Sequence, residues 1–80
     1  MNRDGPMRIT VRLFLSVRVG RFHTKTFDYP AGSTVAQVAG DLSLPAGEVG
    51  LILVNDRQAD FEHQLADGDT VALFPVVGGG

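Results

Sequence analysis

The sequence ends in three consecutive glycines, and these residues have the clearest capacity for chemistry. Because Gly78, Gly79 and Gly80 have no side chains, nothing beside the terminal carboxylate would block the attack of a reactant. Pro75 is expected to stop the last strand and direct the chain away from the body. At about 3.3 to 3.6 Å per extended residue, the segment from Val76 onward could reach about 17 Å, enough to enter another protein's active site.

Apolar residues precede the glycines: Phe74, Pro75, Val76 and Val77. They could be the end of the hydrophobic core. Because Val76 and Val77 follow a proline and lie outside the expected strand, we favour contact with an apolar groove on a partner. We therefore predict that residues 74–77 bind a partner.

Other side chains offer little chemistry. His23 and His63 are far apart and lie in no regular ligand spacing, so we expect surface histidines and no metal site. The chain has no cysteine, which excludes disulfides, thiolate metal sites and a nucleophilic or persulfide-bearing thiol. Five carboxylates lack the spacing of a calcium loop or an acid-base pair and are read as a solvated, turn-rich edge: Asp56, Asp60, Glu62, Asp67 and Asp69. We expect no catalytic residues and no bound cofactor.

Size and charge limit the partners. A chain of 80 residues makes one domain, whose core needs most of its apolar residues. The net charge of -2 leaves no excess of basic residues to bind the phosphates of nucleic acid. No run approaches the roughly 18 apolar residues of a membrane span, and Met1 to Pro6 is too polar for the apolar region of a signal peptide. We expect a cytoplasmic monomer that binds neither nucleic acid nor membrane.

The elements that must position the tail can be predicted from periodicity. After a loose lead at residues 1–6, alternation over residues 7–17 predicts a strand that buries Ile9, Val11, Leu13 and Leu15. Phe14 interrupts the polar face, either as a partly covered aromatic or as a partner contact. Residues 22–29 predict a second strand that pairs back on the first.

A short helix follows. Ser33 or Thr34 supplies its N-cap, and Thr34 and Gln37 have the spacing of a capping box. Its apolar stripe is Val35, Val38, Ala39 and Leu42.

The rest of the chain predicts strands. The continuous apolar run at residues 51–54 predicts a strand inside the sheet. Turns at Asn55-Asp56 and at residues 67–69 lead to a brief strand at 57–59 and a last strand at 70–74, and Leu65 closes the edge of the core. The order predicts an α+β fold of the ubiquitin-like β-grasp type at residues 7–75, a mixed sheet of about five strands with one main helix, followed by a tail at 76–80. One helix covers one face only, so the other face is the natural place for a protein partner.

Several segments resemble the ThiS/MoaD family of sulfur carriers, which includes the small subunit of molybdopterin synthase. The segments are 31–35 before the helix, 54–56, 65–71 and, most closely, the ending 74–80. That ending is similar to Phe-Pro-Pro-Val-Ala-Gly-Gly, with valine for the second proline and glycine for alanine. Asp56 stands where the family commonly has glycine.

The resemblance implies a cosubstrate, not an enzyme. The Gly80 carboxylate would be adenylated with ATP by a ubiquitin-activating-type enzyme of the MoeB/ThiF kind and converted to a thiocarboxylate. It would then donate its sulfur to an acceptor such as the molybdopterin synthase large subunit. The alternatives are a ThiS-type carrier for thiamine thiazole synthesis, a protein modifier joined to lysines, and a β-grasp interaction module whose C-terminus is never activated.

Overall fold

A computed structural model describes residues 5–76, which form a five-stranded sheet with one α-helix on one face. The elements are β1 (Met7–Leu13), β2 (Thr24–Tyr29), α1 (Val35–Asp41), β3 (Val49–Val54), β4 (Arg57–Gln58) and β5 (Thr70–Pro75), with short 3-10 helices at Leu15–Arg18 and Ala46–Glu48. Residues 1–4 and 77–80 lie outside the described residues, so most of the predicted lead and tail does too. Within residues 5–76, no helix has the length and apolar character needed to cross a bilayer.

The sheet is mixed, with the strand order β2-β1-β5-β3-β4. β1 is antiparallel to β2 and parallel to β5, and β3 is antiparallel to both β5 and β4. This arrangement confirms the predicted β-grasp architecture. It also places the last strand in the centre, where neighbours hydrogen-bond to it on both sides.

The alternating pattern of β1 is confirmed from its first residue to Leu13. Ile9, Val11 and Leu13 are fully buried, whereas Arg8 and Arg12 are exposed on the opposite face. The buried side chains meet the helix and the inward face of β5, because successive residues of a strand point to opposite faces. The face of the sheet away from α1 is therefore the open one.

The helix begins as the sequence predicts. Thr34 is the N-cap, its hydroxyl accepts a hydrogen bond from the Gln37 N–H, and the Gln37 side chain accepts one from the Thr34 N–H in return. Val35, Val38 and Ala39 are buried as expected. Leu42 follows the helix as its C-cap and is only half-buried.

The prediction that β1 continues to Val17 is wrong. The chain leaves the sheet after Leu13, and Leu15 adopts a left-handed backbone with a φ of 56° at the start of the 3-10 helix. Leu15 is consequently 65% exposed, although alternation placed it in the core, and Val17 reaches the core from the turn instead. Within the turn the Val17 N–H donates to the Phe14 carbonyl, and Arg21 ties the Val17 carbonyl to the end of the helix.

Other boundaries differ by one or two residues. β2 begins at Thr24, not at Phe22, because the chain still turns at Gly20, which has a φ of 73°. β3 starts at Val49, and β4 is two residues long. Leu65 is buried as predicted.

Candidate functional site

The base of the C-terminal segment is where the described chain meets the predicted chemistry. Pro75 is the buried last residue of β5 and pairs with Val49 of β3. Val76 follows with 57% of its surface exposed, and its N–H donates to the Glu48 carbonyl at 3.3 Å. The chain therefore leaves the sheet from a backbone that is bonded up to Val76.

A cluster of aromatic rings lies at this end of the open face. The rings of Phe14 and Phe74 are stacked, with centroids 4.4 Å apart and planes at 7°. His23 meets Phe14 edge to face at 5.6 Å, and the Arg12 guanidinium carbon lies 5.2 Å from the centroid of the Phe14 ring. A cation over an aromatic face is attracted by the ring quadrupole, so Arg12 adds one positive charge beside the cluster.

An apolar groove of about 370 Å³ adjoins these rings. Its lining residues are Leu15, Gly50, Leu51, Phe74, Pro75 and Val76. Leu15 and Leu51 are 65% and 37% exposed, so two large apolar side chains lie open beside the point where the tail begins. An exposed apolar surface of this kind is typical of a protein contact site.

Arg21 holds the loop that carries Leu15 against the end of the helix. Its guanidinium donates to the carbonyls of Val17 at 3.1 Å, Leu42 at 3.1 Å and Ser43 at 3.3 Å. These bonds join the 3-10 turn to the last turn of α1. Arg21 does not line the groove, but it holds the loop that places Leu15 in the wall of the groove.

Of the other candidates, His23 belongs to the aromatic cluster, and the remaining ones make different contacts. Asp67, Asp69 and Asp60 accept hydrogen bonds from the backbone N–H groups of nearby turns or strands, in keeping with a structural, turn-rich edge. His63 is exposed and lines a different surface cavity of about 560 Å³. Among residues 5–76, no three potential metal-binding side chains cluster as a metal site would require.

Of the predicted partner-binding residues, Phe74, Pro75 and Val76 come together around the groove. Val77 and the three glycines, including Gly80, lie outside the described residues. Their roles stay predictions.

Sequence reasoning missed three groove residues. The sequence patterns predict buried positions for Leu15 and Leu51, and the predicted strand at 51–54 does not include Gly50. A glycine at the start of an apolar strand indicates a bulge or a close backbone approach, and that pattern could have identified Gly50.

The family model that matches the sequence is that of the ThiS family, over residues 11–80. A search of the curated proteins finds no match.

Several solved structures share this fold. The Haloferax volcanii HVO 2177 protein has a TM-score of 0.77 and 28% identity, over 100% of this chain and 92% of that one. The H. volcanii small archaeal modifier protein 1 has a TM-score of 0.72 and 22% identity, over 89% and 99% of the two chains. A complex of subunits 1 and 2 of the molybdopterin-converting factor from Helicobacter pylori contains a chain that matches with a TM-score of 0.63 and 23% identity. The match covers 92% of this chain and 100% of that one. With a family model that spans most of its length and the β-grasp architecture, the chain belongs to the ThiS family.

Proposed function

We propose that this protein is a sulfur carrier whose Gly80 carboxylate becomes a thiocarboxylate. The carboxylate attacks ATP in the active site of a ubiquitin-activating-type enzyme of the MoeB/ThiF kind, which releases pyrophosphate and leaves an acyl-adenylate. A sulfur nucleophile then displaces AMP. The carrier is consumed and regenerated as a cosubstrate, and catalysis belongs to its partners.

One observation carries the proposal. β5 lies between β1 and β3 at the centre of the sheet, and the chain emerges from it at Val76 beside an apolar groove. A segment with a rigid base and an adjoining contact surface can be presented to a partner while the body docks outside. Membership of the ThiS family agrees with this use of the C-terminus.

We propose molybdopterin synthesis as the pathway, with the large synthase subunit as the sulfur acceptor. The ending at residues 74–80 resembles that of the small synthase subunit, and the solved H. pylori complex pairs two subunits of the converting factor. A ThiS-type role in thiamine thiazole synthesis is the alternative. We place the reaction in the cytoplasm, where ATP is supplied.

The test is the intact mass of the full chain after incubation with ATP, a sulfur donor and an adenylating enzyme from the same source. We expect a gain equal to the exchange of one oxygen for sulfur, and no gain in a variant that lacks Gly80. The same enzyme must be shown active on an established carrier. If the chain then gains no mass but still binds a partner, the carrier proposal fails in favour of an interaction module. If the chain instead becomes joined to lysines of other proteins, it is a modifier.

A further inference from the structure

We infer that Gly50 is a positioning residue, whose lack of a side chain fixes the direction in which the C-terminal segment leaves the sheet. This inference rests on the proposed function, because the direction matters only if the Gly80 carboxylate reacts inside a partner. Gly50 lies on β3, remote in sequence from the tail.

The first step is the local register of the sheet. Val49 pairs with Pro75 and Leu51 pairs with Phe74, so two steps along β3 correspond to one step along β5. Gly50 is the extra residue of a β-bulge at the beginning of β3. Bulges change the course of the chains that they join, and this one lies at the last pair before the tail.

The second step is the close approach of two backbones. A Cβ atom at Gly50 would lie 2.7 Å from the Pro75 carbonyl oxygen, 2.7 Å from the Val76 Cα and 2.9 Å from the Val76 nitrogen. These distances are too short for real contacts, and backbone atoms cannot rotate away as a side chain can. Gly50 does not have a positive φ, so the close approach and not its own conformation demands glycine here.

The third step is that Val76 is held by two contacts from one short segment. Its N–H donates to the Glu48 carbonyl at 3.3 Å, and its Cα packs against Gly50. A side chain at position 50 would push apart the backbones of β3 and of Pro75-Val76. Gly80 lies four positions beyond Val76. A displacement of about 1 Å at a reacting group can cost about two orders of magnitude in rate.

The experiment compares Gly50→Ala with Gly47→Ala in the full chain. Gly47 lies in the neighbouring 3-10 helix, where an added Cβ meets no atom within 4 Å, so it is a matched control for the loss of a glycine. We expect Gly50→Ala to lower the kcat of thiocarboxylate formation about ten- to a hundredfold. Because Gly50 also lines the groove, the activating enzyme's KM for the carrier can change too, and we expect the fall in kcat to exceed the change in KM. Simple unfolding would instead remove competent carrier and lower the midpoint of the thermal transition. Gly47→Ala should match the wild type in both constants.

A second measurement needs no enzymatic activity. In the wild-type protein we expect a nuclear Overhauser effect between the α-protons of Gly50 and Val76, and slowed solvent exchange of the Val76 amide. In folded Gly50→Ala that amide should exchange faster. Absence of the Overhauser effect in the wild type, or a kcat for Gly50→Ala equal to that of Gly47→Ala, overturns the inference. If the wild type is not converted by an enzyme active on an established carrier, the proposed function fails, while the Overhauser effect still decides whether Gly50 directs the chain.

Discussion

The ring of Phe14 lies parallel to that of Phe74, with the two centroids 4.4 Å apart. The stack joins the end of β1 to the end of β5 on the open face, directly before the tail. Aromatic pairs contribute about 0.5 to 1.5 kcal/mol beyond the area that they bury. We therefore predict that Phe14→Leu lowers the free energy of unfolding by about 1 kcal/mol in urea titrations.

A double-mutant cycle separates the stack from general packing. Phe14→Leu combined with Phe74→Leu should give a coupling energy of about 0.5 to 1.5 kcal/mol. Phe22 is a matched control, because it packs against Phe27 and not against Phe74. A cycle of Phe22→Leu with Phe74→Leu should give a coupling near zero, and equal couplings in both cycles would contradict the prediction.

The exposed leucines of the groove should control how tightly the activating enzyme binds. We predict that Leu51→Asp or Leu15→Asp raises the activating enzyme's KM for the carrier about tenfold or more. Losing an apolar anchor in the interface costs more than about 1 kcal/mol of binding free energy. The kcat should change little, in contrast to Gly50→Ala. Leu15→Asp should remain folded, because aspartate tolerates the left-handed backbone of this position better than leucine does.

Val19 provides the control for this prediction. It is 71% exposed and does not line the groove. Val19→Asp adds the same charge to the same loop and should leave the KM unchanged. An equal rise in KM for Val19→Asp would assign the effect to charge and not to the groove.

Stability should fall at high pH because of Tyr29. Burial raises the pKa of its hydroxyl to about 12, and the negative charge of the nearby Asp41 carboxylate acts in the same direction. An unfolded tyrosine titrates near about 10. Between these two values the unfolded chain loses a proton that the folded chain keeps, so the free energy of unfolding decreases as pH rises through this window. Below the pKa of tyrosine in the unfolded chain, the stabilising contribution of Tyr29 is fully present.

Because Tyr29 is the only tyrosine in the chain, ultraviolet titration of phenolate reports on it alone. We expect its midpoint in the folded protein near pH 12, and urea titrations should show the loss of stability above about pH 10. Tyr29→Phe should lack this component of the pH dependence. A midpoint at the ordinary value would show that burial and Asp41 do not act on the hydroxyl as described.

Local patterns were sufficient for the parts of the fold that local forces determine. The alternation of β1 up to Leu13 and the capping box of Thr34 and Gln37 depend on residues close in sequence, and both appear in the structure as predicted. The turn at Leu15 did not follow from alternation, because Arg21 ties that loop to the carbonyls of Leu42 and Ser43, which lie more than twenty residues beyond Arg21 in the chain. Apart from Phe14, the alternation of polar and apolar residues continues through the loop.

The residues of the candidate site also fall into those that local sequence predicts and those that depend on contacts between distant segments. Phe74, Pro75 and Val76 could be identified from the composition of the chain's end. The exposure of Leu51 could not, because it depends on the pairing of β3 with β5, and neither segment alone determines the register between distant strands. The glycine before the apolar run indicates a bulge at Gly50, but its close approach to Pro75 and Val76 follows only from that register. The open face of β3 likewise depends on which side the single helix covers.

The turn between β3 and β4 gives two substitutions with opposite expected effects. Asn55 and Asp56 both have positive φ, 52° and 68°, as a two-residue hairpin turn of type I′ requires. Asp56 makes no side-chain hydrogen bond among the described residues, so Asp56→Gly relieves backbone strain and loses no contact of this kind. We predict that it raises the free energy of unfolding by about 0.5 kcal/mol, since part of the relief is offset by the greater freedom of glycine in the unfolded chain.

Asn55→Gly should act in the opposite direction at the same turn. The Asn55 amide donates to the Asp69 carboxylate at 2.8 Å, and its oxygen accepts from the Thr70 N–H at 3.0 Å, so the side chain ties the turn to the start of β5. Losing both hydrogen bonds should lower the free energy of unfolding by about 1 to 2 kcal/mol. This loss is larger than the stabilisation gained when glycine relieves the backbone strain at position 55. Urea titrations of the two variants test the pair together. If both substitutions stabilised the protein, backbone strain would outweigh the hydrogen bonds of Asn55, and the turn would not anchor β5.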